Sequence, residues 1–120
     1  MRGEESCGND NWIDVCPQGD LLPGKARLVE TANRKIGVYN LTGEYFALED
    51  ACTHDKYQML GCGLPQDLVI HGEEITCPRH GARFSIRTGK ALCPPAYLPA
   101  RMFPVRVENG IVQIQTHPED

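Results

Sequence analysis

Pro104-Val105-Arg106-Val107-Glu108-Asn109-Gly110-Ile111-Val112-Gln113-Ile114-Gln115 is the segment of the chain that decides its fold class. Apolar and polar residues alternate on both sides of an Asn-Gly pair, and Asn-Gly is the dipeptide best suited to the two positive-φ positions of a tight hairpin turn. The reading is a hairpin in which Val105 and Val107 share one face of the first strand and Val112 and Ile114 share one face of the second. Working back along the chain, the same period of two recurs in Ile13 and Val15, in Ile36 and Val38, and in Phe46 and Leu48, as expected of strands with one buried face. Leu41-Thr42-Gly43-Glu44 is a second tight connection. Both ends of the chain are therefore expected to be all-β.

Composition supports short elements. Glycine and proline make up 21 of the 120 residues, above average usage, and they are spread as turn punctuation rather than gathered in a linker. A chain of this length fits one domain. From about Asp50 to Pro95 the strand pattern breaks into fragments: Leu68–Ile70 and Glu74–Thr76 flank a His71-Gly72 turn, and Phe84–Arg87 runs into Thr88-Gly89. The expected architecture is an antiparallel sandwich or barrel base over residues 11–115, with a smaller loop-rich lobe inserted at about 50–95 and frayed polar tails at 1–10 and 116–120. The net charge of −4, with no local concentration of Lys and Arg, gives no footprint for nucleic acid or anionic lipid. No stretch is long and apolar enough to span a membrane, and the first residues lack the apolar core of a signal peptide, so a cytoplasmic location is expected. In that setting the six cysteines read first as metal-binding rather than disulfide-forming.

Two segments carry the chemistry, Cys52-Thr53-His54 and Cys77-Pro78-Arg79-His80. Zinc sites usually draw like ligands from one loop, in Cys-x₂₋₄-Cys or His-x₃₋₅-His spacing. Here each loop mixes one thiolate with one imidazole. Two such loops related by an approximate two-fold place both sulfurs on one metal and both nitrogens on its neighbour, the asymmetry of a binuclear centre.

A Cys-x-His pair followed by a Cys-x-x-His pair resembles the Rieske signature, in which two Cys bind one iron and two His bind the other iron of a [2Fe–2S] cluster. The likeness extends through Gly81-Ala82-Arg83-Phe84, Arg87-Thr88-Gly89-Lys90-Ala91-Leu92 and Phe103-Pro104-Val105-Arg106-Val107, and over residues 35–115 it is to the Rieske ferredoxins of bacterial ring-hydroxylating dioxygenases. The resemblance implies a Rieske domain with one cluster per chain, held by Cys52, His54, Cys77 and His80, and a free-standing one-electron carrier rather than an enzyme. Its partners would be an NAD(P)H-oxidising flavoprotein reductase and a terminal oxygenase, with His54 and His80 as the exit port. Pro94, Pro95 and Pro99 resemble the proline loop that shields the cluster in that family.

Departures from the pattern are informative. Respiratory relatives would carry a Ser and a Tyr where Ala82 and Phe84 stand, hydroxyls that donate to cluster sulfurs. They would also have a disulfide between the positions of Tyr57 and Arg79. Neither is possible here, so the lower end of the family's range of about −150 to +300 mV is expected. The 22 residues between His54 and Cys77 exceed what the dioxygenase ferredoxins lead one to expect. The extra loop around Cys62 is either a neutral surface feature or a recognition element.

Cys16 and Cys93 are expected to be small buried hydrophobes, Cys62 a loop residue and Cys7 a tail residue. His71 and His117 are expected to be exposed and to ligate nothing. A catalytic mononuclear iron usually needs two His and a carboxylate, and no such set is spare. Two alternatives stay open: a small subunit of an assimilatory reductase such as nitrite reductase, which has the same fold, and a zinc-stabilised structural module.

Overall fold

The computed structural model describes residues 12–31, 34–54 and 56–116. Cys7, His117 and the two tails, apart from Thr116, lie outside the described residues. Among the described residues eleven strands run in the order β1 (Trp12–Pro17), β2 (Ala26–Glu30), β3 (Lys35–Leu41), β4 (Glu44–Glu49), β5 (Ile70–His71), β6 (Glu74–Thr76), β7 (Arg83–Ser85), β8 (Ala91–Cys93), β9 (Met102–Phe103), β10 (Val105–Glu108) and β11 (Ile111–Gln115). The helical elements among the described residues are three single 3₁₀ turns.

The strands form three antiparallel sheets, ordered β9-β4-β3-β2, β10-β11-β1 and β5-β6-β7-β8. The first two make the base and the third makes the inserted lobe. Both tight turns form as expected. Thr42 and Gly43 have φ of 51° and 97° and join β3 to β4, while Asn109 and Gly110 have φ of 53° and 79° and join β10 to β11.

The base sheets enclose one apolar core containing Cys16, Ile36, Val38, Ala47, Phe103, Val112 and Ile114. The opposite face of β3 and β4 closes a second core, in which Tyr39, Leu41 and Leu48 pack with Ile75, Phe84 and Ile86 of the lobe. Strand β3 is thus buried on both faces, from Ile36 to Leu41. This corrects the expectation of a single buried face: Ile36 and Val38 face the base core, whereas Phe46 and Leu48 face the lobe. Gly37 suits that packing, because a Cβ there would lie 2.7 Å from Leu60 Cδ1 and 2.9 Å from the Tyr39 hydroxyl and would make those side chains shift.

Other differences have local causes. Strand β2 was not expected, because Ala26–Glu30 does not alternate; it is the edge of its sheet, where one side needs no partner. Residues Gln66–Leu68 form a 3₁₀ turn rather than entering a strand. The Gln66 amide is drawn to the β2 edge, where it accepts from the Ala26 N–H at 3.0 Å and donates to the Ala26 carbonyl at 2.7 Å. The expected strand at Phe84–Arg87 is shorter and starts earlier, at Arg83–Ser85. Val107 is exposed at the open side of its hairpin, while Val105 packs on the base core.

Candidate metal centre

The two Cys/His loops arise from different sheets. The first follows β4 of the base and the second joins β6 to β7 of the lobe. Their backbones nevertheless close in the same way. The Cys52 N–H donates to the Tyr57 carbonyl at 2.9 Å and the Cys52 carbonyl accepts from Lys56 N–H at 2.6 Å; the Cys77 N–H donates to the Ala82 carbonyl at 2.7 Å and the Cys77 carbonyl accepts from Gly81 N–H at 3.0 Å. In each loop the fifth residue takes a positive φ, 63° at Lys56 and 79° at Gly81. The loops differ in where the imidazole sits, two residues after Cys52 but three after Cys77.

The structure sets Cys77 beside Cys52 and His54 beside His80, and it divides the two pairs by exposure. Cys52 and Cys77 are each 1% exposed and belong to the core shared by base and lobe. His54 and His80 are exposed, with ring centroids 5.2 Å apart and planes at 79°. Burial pushes the Cys77 thiol up from its ordinary value. The N–H groups of Arg79 and His80, which face the sulfur, oppose the rise, while the neighbouring Cys52 sulfur adds to it. Metal binding at this site must therefore displace a proton from a buried thiol.

Among the described residues no three His, Cys, Asp or Glu side chains converge on a point that one ion would occupy. Two soft sulfur donors paired with two imidazoles are the donor chemistry that a two-metal iron–sulfur core uses.

Surrounding residues hold the loops. The Asp50 carboxylate, 1% exposed, accepts from the N–H groups of Met59, Leu60 and Gly61 at 3.2, 2.6 and 2.9 Å. The Thr53 hydroxyl donates to the Leu98 carbonyl at 2.7 Å, tying the proline segment to the first loop. In that segment Ala96 and Ala100 are buried while Tyr97 and Leu98 are exposed. Sequence reasoning did not find Asp50; an acidic residue two positions before the first Cys was the available signal. Tyr57 and Arg79, which cannot form a disulfide, instead meet with the guanidinium 5.3 Å from the ring centroid.

The remaining candidates fall where they do for local reasons. Cys16 is buried, as expected. Cys93 is half-buried, contrary to expectation, because β8 is the outer strand of the lobe sheet; its thiol donates to the Gly81 carbonyl at 3.4 Å. Cys62 lies in a 3₁₀ turn and His71 is exposed. No described helix is long and apolar enough to cross a membrane.

Paired buried sulfurs, paired exposed imidazoles and a small lobe seated on an antiparallel base point to the iron–sulfur proteins as a class. Residues 11–104 match the Rieske [2Fe–2S] domain, and the chain belongs to that family. It is 35% identical over 105 residues to the ferredoxin component of the naphthalene 1,2-dioxygenase/salicylate 5-hydroxylase systems of Ralstonia sp., covering 88% of this chain and 95% of that protein. It is 38% identical over 104 residues to the 3-phenylpropionate/cinnamic acid dioxygenase ferredoxin subunit of Escherichia coli K12, covering 87% and 92% respectively. Its fold superposes with a TM-score of 0.81 on a chain from the complex of reduced oxygenase and oxidized ferredoxin in carbazole 1,9a-dioxygenase, at 29% identity over 93% of this chain and 99% of that one. The ferredoxin of carbazole 1,9a-dioxygenase from Nocardioides aromaticivorans IC177 gives a TM-score of 0.75 at 25% identity, over 88% of this chain and 98% of that one.

Proposed function

We propose that this protein is the ferredoxin component of a multicomponent ring-hydroxylating dioxygenase system, an electron carrier and not itself a catalyst. It takes single electrons from an NAD(P)H-dependent flavoprotein reductase and passes them to a terminal oxygenase, in the cytoplasm. We assign one [2Fe–2S] cluster per chain, with Cys52 and Cys77 on the inner iron and His54 and His80 on the outer one, within a single domain spanning residues 11–115 whose cluster-bearing lobe covers about 50–95. When bound, such a cluster supplies a one-electron redox couple. The observation that carries the assignment is the division of the four side chains, sulfurs 1% exposed and imidazoles at the surface.

Each part of the chain has a definite task in that role. The core around Cys52 and Cys77 keeps water from the thiolates and limits exchange of the ligands. The neutral imidazoles lower the negative charge of the ligand set and bring the redox couple within reach of a docked protein. Asp50 and the matched backbone bonds fix the loops, so that little reorganisation accompanies the change of charge.

Anaerobically purified protein, analysed for iron and acid-labile sulfide and examined by electron paramagnetic resonance after dithionite, tests the assignment. The expected result is two irons and two sulfides per chain with a Rieske-type signal, lost in Cys52→Ser and Cys77→Ser. Bound zinc without sulfide would overturn it.

A further inference from the structure

The two loops stand on different sheets, so the gap between them is not set by any one hairpin. Tyr57 and Arg79 bridge that gap. Each is tied by its backbone to one of the sulfur-bearing residues: the Tyr57 carbonyl receives the Cys52 N–H at 2.9 Å, and the Arg79 N–H faces the Cys77 sulfur. Arg79 also precedes His80 directly in the chain. Their side chains meet between the loops, with the guanidinium carbon 5.3 Å from the centre of the phenol ring, inside the range in which a cation is attracted to the face of an aromatic.

We propose that Tyr57 and Arg79 form a non-covalent clasp that sets the spacing of the two loops and retains the cluster between them. They act as positioning residues and ligate nothing. The inference rests on the assignment of Cys52, His54, Cys77 and His80 as the ligand set. The mechanism follows from the tethers: a load that pulls the guanidinium off the ring is transmitted through one backbone bond to Cys52 and through another to Cys77, so the contact resists the opening by which a bound cluster would escape. A guanidinium over a ring needs no hydroxyl, so the face of the ring and not its polar end carries the effect.

The test uses the full-length, cluster-loaded protein and follows bleaching of its visible absorbance in an iron chelator, together with the g-values of the reduced form. Tyr57→Leu and Arg79→Gln are each expected to bleach about two- to fivefold faster than the parent, the range that a surface cation–π contact supports. The double variant is expected to be no faster than either single one, because one contact is lost in all three. Tyr57→Phe should match the parent in both rate and g-values, whereas Tyr57→Leu and Arg79→Gln shift or broaden the g-values as the His80 imidazole loses its fixed orientation. Costs that simply add, or a Phe variant as fast as the Leu variant, would overturn the clasp while leaving the ligand assignment standing. A parent protein that binds no cluster would overturn both.

Discussion

The Arg87 guanidinium, in the turn that follows β7 of the lobe, donates to the Glu44 carboxylate at the first residue of β4, across the junction with the base, at 2.6 Å. It also donates to Glu73 at 2.9 Å and lies 5.2 Å over the Phe46 ring. One side chain thus joins two carboxylates and an aromatic from both parts of the molecule. Hydrogen bonding and charge from Arg87 hold the Glu73 carboxyl below its usual range, and the two carboxylates in turn raise Arg87.

The sign of the pH dependence follows from Glu73. Its folded pKa is depressed, so its contribution is complete above the unfolded carboxyl value of about 4.3 and is lost as pH falls through the lower folded value. The difference in Tm between the parent and Glu73→Gln is expected to be full above about pH 5.5 and to narrow steadily toward pH 3. A difference that stays constant on acidification would show that Glu73 is not paired as described.

Gln66→Ala removes an amide that accepts from and donates to the Ala26 backbone on the open edge of β2. The Ala26 peptide loses both partners at a mostly buried position, and a loss of roughly 1–3 kcal/mol is expected. Urea unfolding should show a lower midpoint with an unchanged slope. The same pair of bonds means that the long loop after the first Cys/His segment is fastened to the base at this point.

Asp50→Ala leaves three backbone donors of residues 59–61 without their carboxylate, and about 2–4 kcal/mol of stability should go with it. Because those residues lead out of the first loop, faster cluster loss is expected to accompany the lower unfolding midpoint. Chelator bleaching and denaturation measured on the same preparation check both parts.

Ala82 and Phe84 are fully buried beside the second loop, and neither side chain can donate a hydrogen bond. Ala82→Ser with Phe84→Tyr introduces two hydroxyls; if each favours the reduced form by about 1 kcal/mol, the potential rises by on the order of 100 mV for a one-electron couple. Protein-film voltammetry reads this directly, and an unchanged potential would refute the idea that these hydroxyls set the scale.

Much of this was legible in the chain itself, for identifiable reasons. Thr42-Gly43 and Asn109-Gly110 announced their turns because few residues tolerate a positive φ. Cys52, His54, Cys77 and His80 stood out as a candidate site because mixed donors at such spacing have few other uses. What escaped were features settled by contact between distant segments. The edge strand β2 carries no alternation. Leu68 looked like a strand residue until Gln66 was seen to be pulled onto Ala26, and Cys93 looked like a core residue until its strand proved to be an outer one. Nor could the meeting of Tyr57 and Arg79 be read from local pattern, since it depends on how lobe and base are set against each other.

The origin of the two loops on separate sheets limits how such a centre can be borrowed or built. Neither half is a portable peptide: an engineer who grafts the segment around Cys77 onto a new scaffold carries one thiol and one imidazole with nothing opposite them. Transplanting the centre means transplanting the interface between lobe and base, which makes the electron-carrying unit about as large as the protein itself.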